Sequence, residues 1–363
     1  MDNLIITVGT SLIENYIAHN PEKTNITKED ILSYYEKESM VDLRDKRFGS
    51  EIISVENLRE KDIFSGRHLF MITHDTVNGR LAGEVLEEFF LSKGIVRRVT
   101  RKAVYKMDKR NPDDFRTKGL RNLVEEVGDI VEQVGNKYNI AVCTVGGYTA
   151  EIFMVSLMAQ ILGIKSYFMF REFEDVTEIP PLPIKIDYNY YLENKEFFNT
   201  ISNNQRLEKE KIDKYLNENL ELAYFIEEIK DNDKVYVELS AMGDFYLKTV
   251  RNCKYLPRRT TNVPVSEKEI PSSTIKDRPK ELDDMLSLLK GSPYVNKLKV
   301  VFHNPNRKLK VSKFFILDSD DYESTLALEM KTSMGGFRVD IYTVADTKKE
   351  YEALMVYFNE NFL

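Results

Sequence analysis

Apolar residues in the first 190 positions come in short runs separated by longer amphipathic stretches. Leu4-Ile5-Ile6-Thr7-Val8, ended by Gly9, is a buried-strand pattern. Leu69–Thr73, Ile140–Val145 and Tyr167–Phe170 repeat it. Between them, 78–92 places Leu81, Val85, Leu86, Phe89 and Phe90 on one helical face. The stretch 116–137 spaces Leu120, Leu123, Val124, Val127, Ile130, Val131 and Val134 by steps of three and four, which predicts an amphipathic helix. The helix expected after Gly147 is apolar nearly all round (Ile152, Phe153, Val155, Leu157, Met158, Ile161, Leu162), so it packs on most sides, in the core or at a subunit interface. This alternation predicts an α/β fold with a doubly wound, mostly parallel, Rossmann-like sheet.

The pattern changes after residue 190. Arg206–Ile229 reads as one long helix through Leu207, Ile212, Leu216, Leu220, Ala223, Phe225 and Ile226. Val235–Leu239 alternates as a strand, and Ser240–Gly243 turns into a further helix over 244–250. Together these make a helical, winged-helix-like middle segment. Residues 260–279, with Pro264, Pro271 and Pro279 among threonines and serines, have linker composition. Beyond them, 281–289 and 346–358 predict helices, and 299–302, 311–317, 326–331 and 337–344 predict strands of a small α+β domain with a curved antiparallel sheet. The expected domains are therefore 1–190, 191–277 and 278–363.

The 363 residues are 42% hydrophobic and 31% charged, enough to bury full cores, and no run approaches the roughly 18–20 apolar residues of a membrane span. No membrane partner is expected. The start has neither a basic region nor a cleavage site, so a cytoplasmic location is expected. Cys143 and Cys253 are too few for a disulfide framework or a four-ligand zinc site. The net charge of −7 argues against a general nucleic-acid coat. Against it stand three basic clusters: Arg97–Arg110, Lys248–Arg259, and 290–313, which holds no Asp or Glu.

In a doubly wound sheet, ligands sit outside the C-terminal strand ends. Three expected strands end there in Gly9-Thr10-Ser11, His74-Asp75-Thr76-Val77-Asn78-Gly79-Arg80 and Gly146-Gly147-Tyr148-Thr149. The glycines allow close backbone approach. The helix after Gly147 offers N–H groups that suit a phosphate. Thr10, Ser11 and Thr149 are short donors, and Tyr148 suits base stacking. Neither a dinucleotide nor an ATP phosphate-loop pattern is present.

These loops resemble the CARF domains of type III CRISPR systems: Val8-Gly9-Thr10-Ser11-Leu12, Thr73-His74-Asp75-Thr76 with Gly79-Arg80, and Val145-Gly146-Gly147-Tyr148-Thr149-Ala150-Glu151. Phe170-Arg171-Glu172-Phe173 and Pro180-Pro181-Leu182-Pro183 are similar to one branch of them. The resemblance implies a homodimer that binds a cyclic oligoadenylate, with cyclic tetra-adenylate the ring expected, as allosteric activator. It implies ligand contacts at Thr10, Ser11, His74, Asp75, Gly146, Gly147, Tyr148 and Thr149, with Asp75 meeting ribose or a helix N-terminus instead of phosphate. Some CARF domains also cut their ring; Ser11 and Lys165 leave that open here.

The last domain has one histidine, His303, and no cysteine, which disfavours a cysteine nucleophile or a serine triad. The R-x(4–6)-H pattern of HEPN ribonucleases is absent there; its one match, Arg67 to His74, brackets a strand in the first domain. What remains is a basic, aromatic surface of Arg307, Lys308, Lys310, Lys313, Lys331, Arg338 and Tyr342. Arginine can stabilise a phosphorane, and lysine or tyrosine can move the proton of an RNA 2′-hydroxyl, with no metal or other cofactor. Size, element order and Gly336-Phe337-Arg338-Val339-Asp340-Ile341-Tyr342 resemble RelE-family mRNA interferases. That resemblance implies an endoribonuclease acting on mRNA, often on the ribosome, with Arg307, Lys308, Lys310, Lys331, Arg338 and Tyr342 as catalytic candidates. Two alternatives stay open. Asp318 with Glu329-Met330-Lys331 matches the metal-dependent PD-(D/E)xK pattern. A ligand-responsive nucleic-acid-binding regulator without catalysis would use the middle segment instead.

Overall fold

In a computed structural model of the chain, the described residues are 1–38, 48–169, 175–184, 186–204, 206–232, 234–250, 256–257, 259–271, 278–306, 309–317 and 326–363. They form two compact units: Met1–Ile186 with Arg206–Phe245, and Asp187–Gln205 with Tyr246–Leu363. In chain order the elements are β1 (Asn3–Thr7), α1 (Ser11–His19), α2 (Lys28–Glu38), α3 (Ser50–Glu60), β2 (His68–His74), α4 (Val77–Ser92), β3 (Val99–Val104), the short turn α5 (Pro112–Asp114), α6 (Leu120–Val134), β4 (Ile140–Cys143), α7 (Thr149–Leu162), β5 (Lys165–Phe168) and β6 (Thr177–Ile179). Then come α8 (Tyr188–Glu193), α9 (Lys195–Ser202), β7 (Leu207–Glu208), α10 (Asp213–Glu218), β8 (Ile226–Asp231), β9 (Lys234–Leu239) and α11 (Ala241–Val250). Last are β10 (Glu269–Ile270), α12 (Lys280–Gly291), β11 (Val295–Asn304), β12 (Lys313–Ile316), β13 (Leu326–Thr332), β14 (Gly335–Thr343) and α13 (Lys348–Asn361).

The first unit is a mixed α/β fold around a six-stranded sheet of order β3-β2-β1-β4-β5-β6. Its first five strands are parallel, and β6 closes one edge antiparallel to β5. Both faces are covered, which is why β1, β2 and β4 read as unbroken apolar runs. Leu4, Ile6, Leu69, Met71, Ala141 and Cys143 pack one way, in a core with residues of α1 to α4. Ile5, Phe70, Ile72, Ile140 and Val142 pack the other way, with α6 and α7. Each Leu, Ile, Val, Met or Phe buried this fully contributes roughly 1.5–3 kcal/mol. The spacing in α6 buries Leu123, Val124, Val127 and Ile130, and the helix stops at left-handed Gly135, whose N–H bonds Val131 O.

The strand β3 carries no strand signal in its sequence because it is an edge: Arg101 and Lys102 lie on it, and charge protects an open edge. Most of the Arg97–Arg110 cluster is thereby neutralised. Arg101 pairs with Glu87, Lys102 with Glu126, Lys106 with Asp114 and Arg110 with Asp108.

The expected long helix over 206–229 is not formed. That stretch is the short strand β7, the six-residue helix α10, a 3₁₀ stretch and then β8, and the three strands pair antiparallel in the order β7-β9-β8. The hairpin turns at Asn232, which holds φ of 54°. Asn tolerates that left-handed conformation, so Asp231-Asn232 is a turn signal that outweighs the helical spacing upstream. The strand and following helix expected at 235–250 do form, as β9 and α11.

The second unit holds a five-stranded sheet of order β10-β11-β14-β13-β12, antiparallel apart from β10 with β11. All four expected strands and both expected helices of this region are present. Leu282, Met285, Leu286 and Leu289 of α12 and Leu354 and Phe358 of α13 share a core with Leu298, Val300, Leu328, Phe337, Val339 and Ile341. Buried Asn359 joins α13 to the edge strand β12: its side chain accepts from Phe314 N–H (2.9 Å) and donates to Phe314 O (3.0 Å). Buried Lys268 caps the end of α12, donating to Lys290 O and Ser292 O at 2.8 Å each. No helix among the described residues is long and apolar enough to cross a membrane.

Candidate functional sites

From β1 the chain steps outward to β2 and β3, then returns to the other side of β1 as β4. The point between β1 and β4 is the topological switch, where doubly wound sheets bind ligands. Gly9 follows β1 there and Gly146-Gly147 follows β4. A Cβ on Gly9 would stand 2.8 Å from Gly147 N, and one on Gly146 would fall well under 3.0 Å from Gly9 N and Glu51 Oε1. Gly147 holds φ of 103°. Only glycine lets two loops meet this closely.

Beneath the loops lies Glu51, at the start of α3 and 1% exposed. Its carboxylate accepts from Gly9 N–H (2.8 Å) and from the Ser11 hydroxyl (3.4 Å). A buried carboxylate needs such donors. A second buried carboxylate, Glu151, stands in the first turn of α7. It takes the His74 ring at Nε2 (2.7 Å) and Tyr148 N–H (3.2 Å) on one oxygen. The His74 and Tyr148 rings stack in parallel, centroids 4.1 Å apart, and Phe115 meets Tyr148 edge-on at 5.5 Å. Burial pushes the Glu151 carboxyl up, against the bond from His74 that lowers it, and burial likewise raises the Tyr148 phenol.

Thr10, Ser11, Gly146, Gly147, Tyr148 and Thr149 thus come to one edge of the sheet. Thr149 is exposed, and half-buried Thr10 donates its hydroxyl to Glu14 at 2.8 Å. His74 reaches the same place but is 2% exposed, beneath Tyr148, where it positions that ring. Asp75 accepts from Arg80 Nε at 2.8 Å. Two N–H groups suited to a phosphate are already engaged, Gly9 by Glu51 and Tyr148 by Glu151; Thr149 and Ala150 of α7 are exposed. Arg67 of the R-x-H spacing pairs with Asp2, and it precedes the start of β2 while His74 ends that strand.

The second unit carries the other candidate surface. On β14, Phe337, Val339 and Ile341 face the core, so Arg338, Asp340 and Tyr342 face the other way. Register sets Lys297 opposite Tyr342, Lys299 opposite Asp340 and Glu329 opposite Arg338. On the same face, Lys313 stands opposite Glu329, and Lys331 lies two residues beyond it. Lys297, Lys299, Lys310 and Lys331 are exposed, and half-buried Arg338 donates to Asp340 at 2.9 Å. The sheet therefore puts Lys331, Arg338 and Tyr342 on one face with Lys297, Lys299 and Lys313, but spread along it: Lys331 pairs with Gly336, six residues or about 20 Å along β14 from Tyr342. Arg307, Lys308 and Asp318 lie outside the described residues, as do Phe170–Phe173, Arg251, Cys253, Lys254 and Arg258. Among the described residues, no group of three or more His, Cys, Asp or Glu could hold a metal ion. In the Lys248–Arg259 cluster, Arg259 pairs with Asp346 and Glu350.

Residues 46–182 match the family model of a CRISPR-associated protein, Cas_APE2256. The match supports a CRISPR-associated protein. It includes Glu51, His74, Gly146, Gly147 and Glu151, and it ends before the second unit begins. No curated protein matches the chain.

Sequence reasoning passed over Glu51 and gave Glu151 no role. Glu151 carried a signal: a Glu three residues into a helix start caps the preceding backbone. Glu51 carried only the oddity of an acid beside Ile52 and Ile53, which becomes informative once Gly9 is known to lie against it.

Proposed function

We propose that this chain is an ancillary effector of CRISPR defence, a ribonuclease switched on by a cyclic oligoadenylate. The observation that carries the reading is the meeting of Gly9, Gly146 and Gly147 at the switch point of the first unit, within or beside the matched CRISPR-associated region. The ring, cyclic tetra-adenylate by expectation, takes hydrogen bonds from the exposed start of α7 and from Thr10 and Ser11, whose hydroxyls turn to it from Glu14 and Glu51. An adenine stacks on the Tyr148 face turned away from His74. A homodimer presents two such edges to a symmetric ring. Support for a second copy comes from α7, where Phe153 is 65% exposed, and from Leu182, 62% exposed, whose N–H bonds Gln160 of α7.

In the second unit, an RNA 2′-oxygen attacks its neighbouring phosphorus and the bond to the 5′-oxygen breaks. A lysine or tyrosine of the basic face takes the 2′-proton, and a proton is returned to the 5′-oxygen. Arg338 stabilises the charge gathering on the phosphorane. The protein supplies these groups itself, so a cofactor has no part in the step. Ligand control is a population shift: about 5.5 kcal/mol of preference for the active arrangement moves activity from 1% to 99%.

The test is RNA cleavage with and without cyclic tetra-adenylate, on naked RNA with EDTA and on translating ribosomes in magnesium. Cutting that needs the ring and survives EDTA is expected. Cutting abolished by EDTA transfers the chemistry to Asp318, Glu329 and Lys331. No melting shift with any adenylate ring would end the ligand assignment.

A further inference from the structure

Strand β11 contains a one-residue irregularity with a chemical consequence. Val300 pairs with Val339, and both lie in the core. Regular alternation would return Phe302 to that core, opposite Phe337. Instead the register shifts after Val300, and Phe302 pairs with Arg338. The bulge at Val301 thus turns a large aromatic out of the core onto the charged face, where it is 42% exposed. His303 takes the inward register, stacked on Phe337 at 4.2 Å and bonded through Nε2 to Met334 O at 2.8 Å. Evicting a phenyl ring in favour of an imidazole gives up apolar burial, which the stack on Phe337 only partly returns.

The setting of the ring says what it meets. Arg338 is its cross-strand neighbour, Lys299 lies three residues before it, and Lys331 stands across β14. Lys297 and Lys299 make no ion pair among the described residues. Cations around one exposed aromatic suit a single-stranded nucleic acid, which offers a phosphate and an unstacked base together. We infer that Phe302 is the stacking platform for a base of bound single-stranded RNA, with Lys297 and Lys299 holding the adjoining backbone. The inference rests on the reading of this face as an RNA site and adds the group that grips the base.

The experiment measures binding of a short single-stranded RNA carrying 2-aminopurine to the full chain, with cyclic tetra-adenylate present. Phe302→Ala should weaken binding about tenfold, which is about 1.4 kcal/mol, and abolish the quenching of 2-aminopurine. Phe302→Tyr should keep both. The salt dependence should be unchanged in Phe302→Ala, whereas Lys297→Gln with Lys299→Gln should flatten the log–log slope by about 1.4. Melting of Phe302→Ala should match wild type, because the ring is not in the core. Wild-type binding with an unaffected Phe302→Ala would overturn this assignment alone and leave the RNA reading standing. Absence of RNA binding by wild type would overturn both.

Discussion

Gly146→Ala is expected to disable the first unit. The added methyl would fall on Gly9 N, a backbone atom, and on the Glu51 carboxylate. Glu51 has nowhere to go: it is buried and already holds Gly9 N–H. Overpacking costs about 1–3 kcal/mol. Loss of the charged hydrogen bond adds about 1.5–3 kcal/mol. A combined loss of about 3 kcal/mol or more should lower the melting temperature of this unit by roughly 6–12 °C. The adenylate-induced melting shift should vanish with it, since the same atoms shape the proposed pocket. Calorimetry with and without the ring reads both quantities. Gly128→Ala is the control: nothing lies within 4 Å of its added methyl in α6, so a gain of about 0.5–1 kcal/mol is expected there. A Gly146→Ala protein melting like wild type would mean that the two loops are not packed as described.

Asn359→Leu should damage the second unit by a comparable amount. The side chain is fully buried and makes three hydrogen bonds, two with Phe314 and one with Met355 O at 2.8 Å. Leucine has similar volume but leaves the Phe314 N–H and C=O without partners. Each buried orphan costs about 1–3 kcal/mol, so a loss of about 3 kcal/mol is expected by urea denaturation. Hydrogen exchange at Phe314 should accelerate most, because that amide loses its acceptor. If Asn359→Leu keeps the wild-type denaturation midpoint, the asparagine is not what secures the outer strand of this sheet.

The two sheets differ in how far their sequences announce them. Apolar runs such as Leu4–Val8 and Leu69–Thr73 are legible because both faces of the strand are covered, leaving no polar alternation to mislead. The spacing of α6 is legible for the opposite reason, since one face only is buried. The strand β3 escapes because its neighbours on one side are solvent and its residues are chosen for charge. Arg206–Ile229 misleads because leucines and isoleucines four apart fit a helix, while the pairing of β8 with β9 is decided by Asn232 and by a partner strand further along. At the switch point the glycines and hydroxyls are visible in sequence, and Glu151 is marked by its place in the first turn of a helix, yet Glu51 is not. Glu51 and Gly9 are far apart in the chain, and only folding brings them to 2.8 Å. On the basic face, Lys331, Arg338 and Tyr342 are legible by strand parity. Phe302 is not, since its outward turn depends on a bulge no composition reveals.

The order in which the chain fills its two units carries a practical lesson. It leaves the first at residue 186, comes back at 206 and departs again after 245. No single scission therefore separates the two units cleanly, because every cut divides at least one of them. A protease clipping any one of the three passages would leave at least one unit as two pieces on separate fragments, held by packing. Producing either unit free of residues from the other accordingly requires joining two distant stretches of the gene.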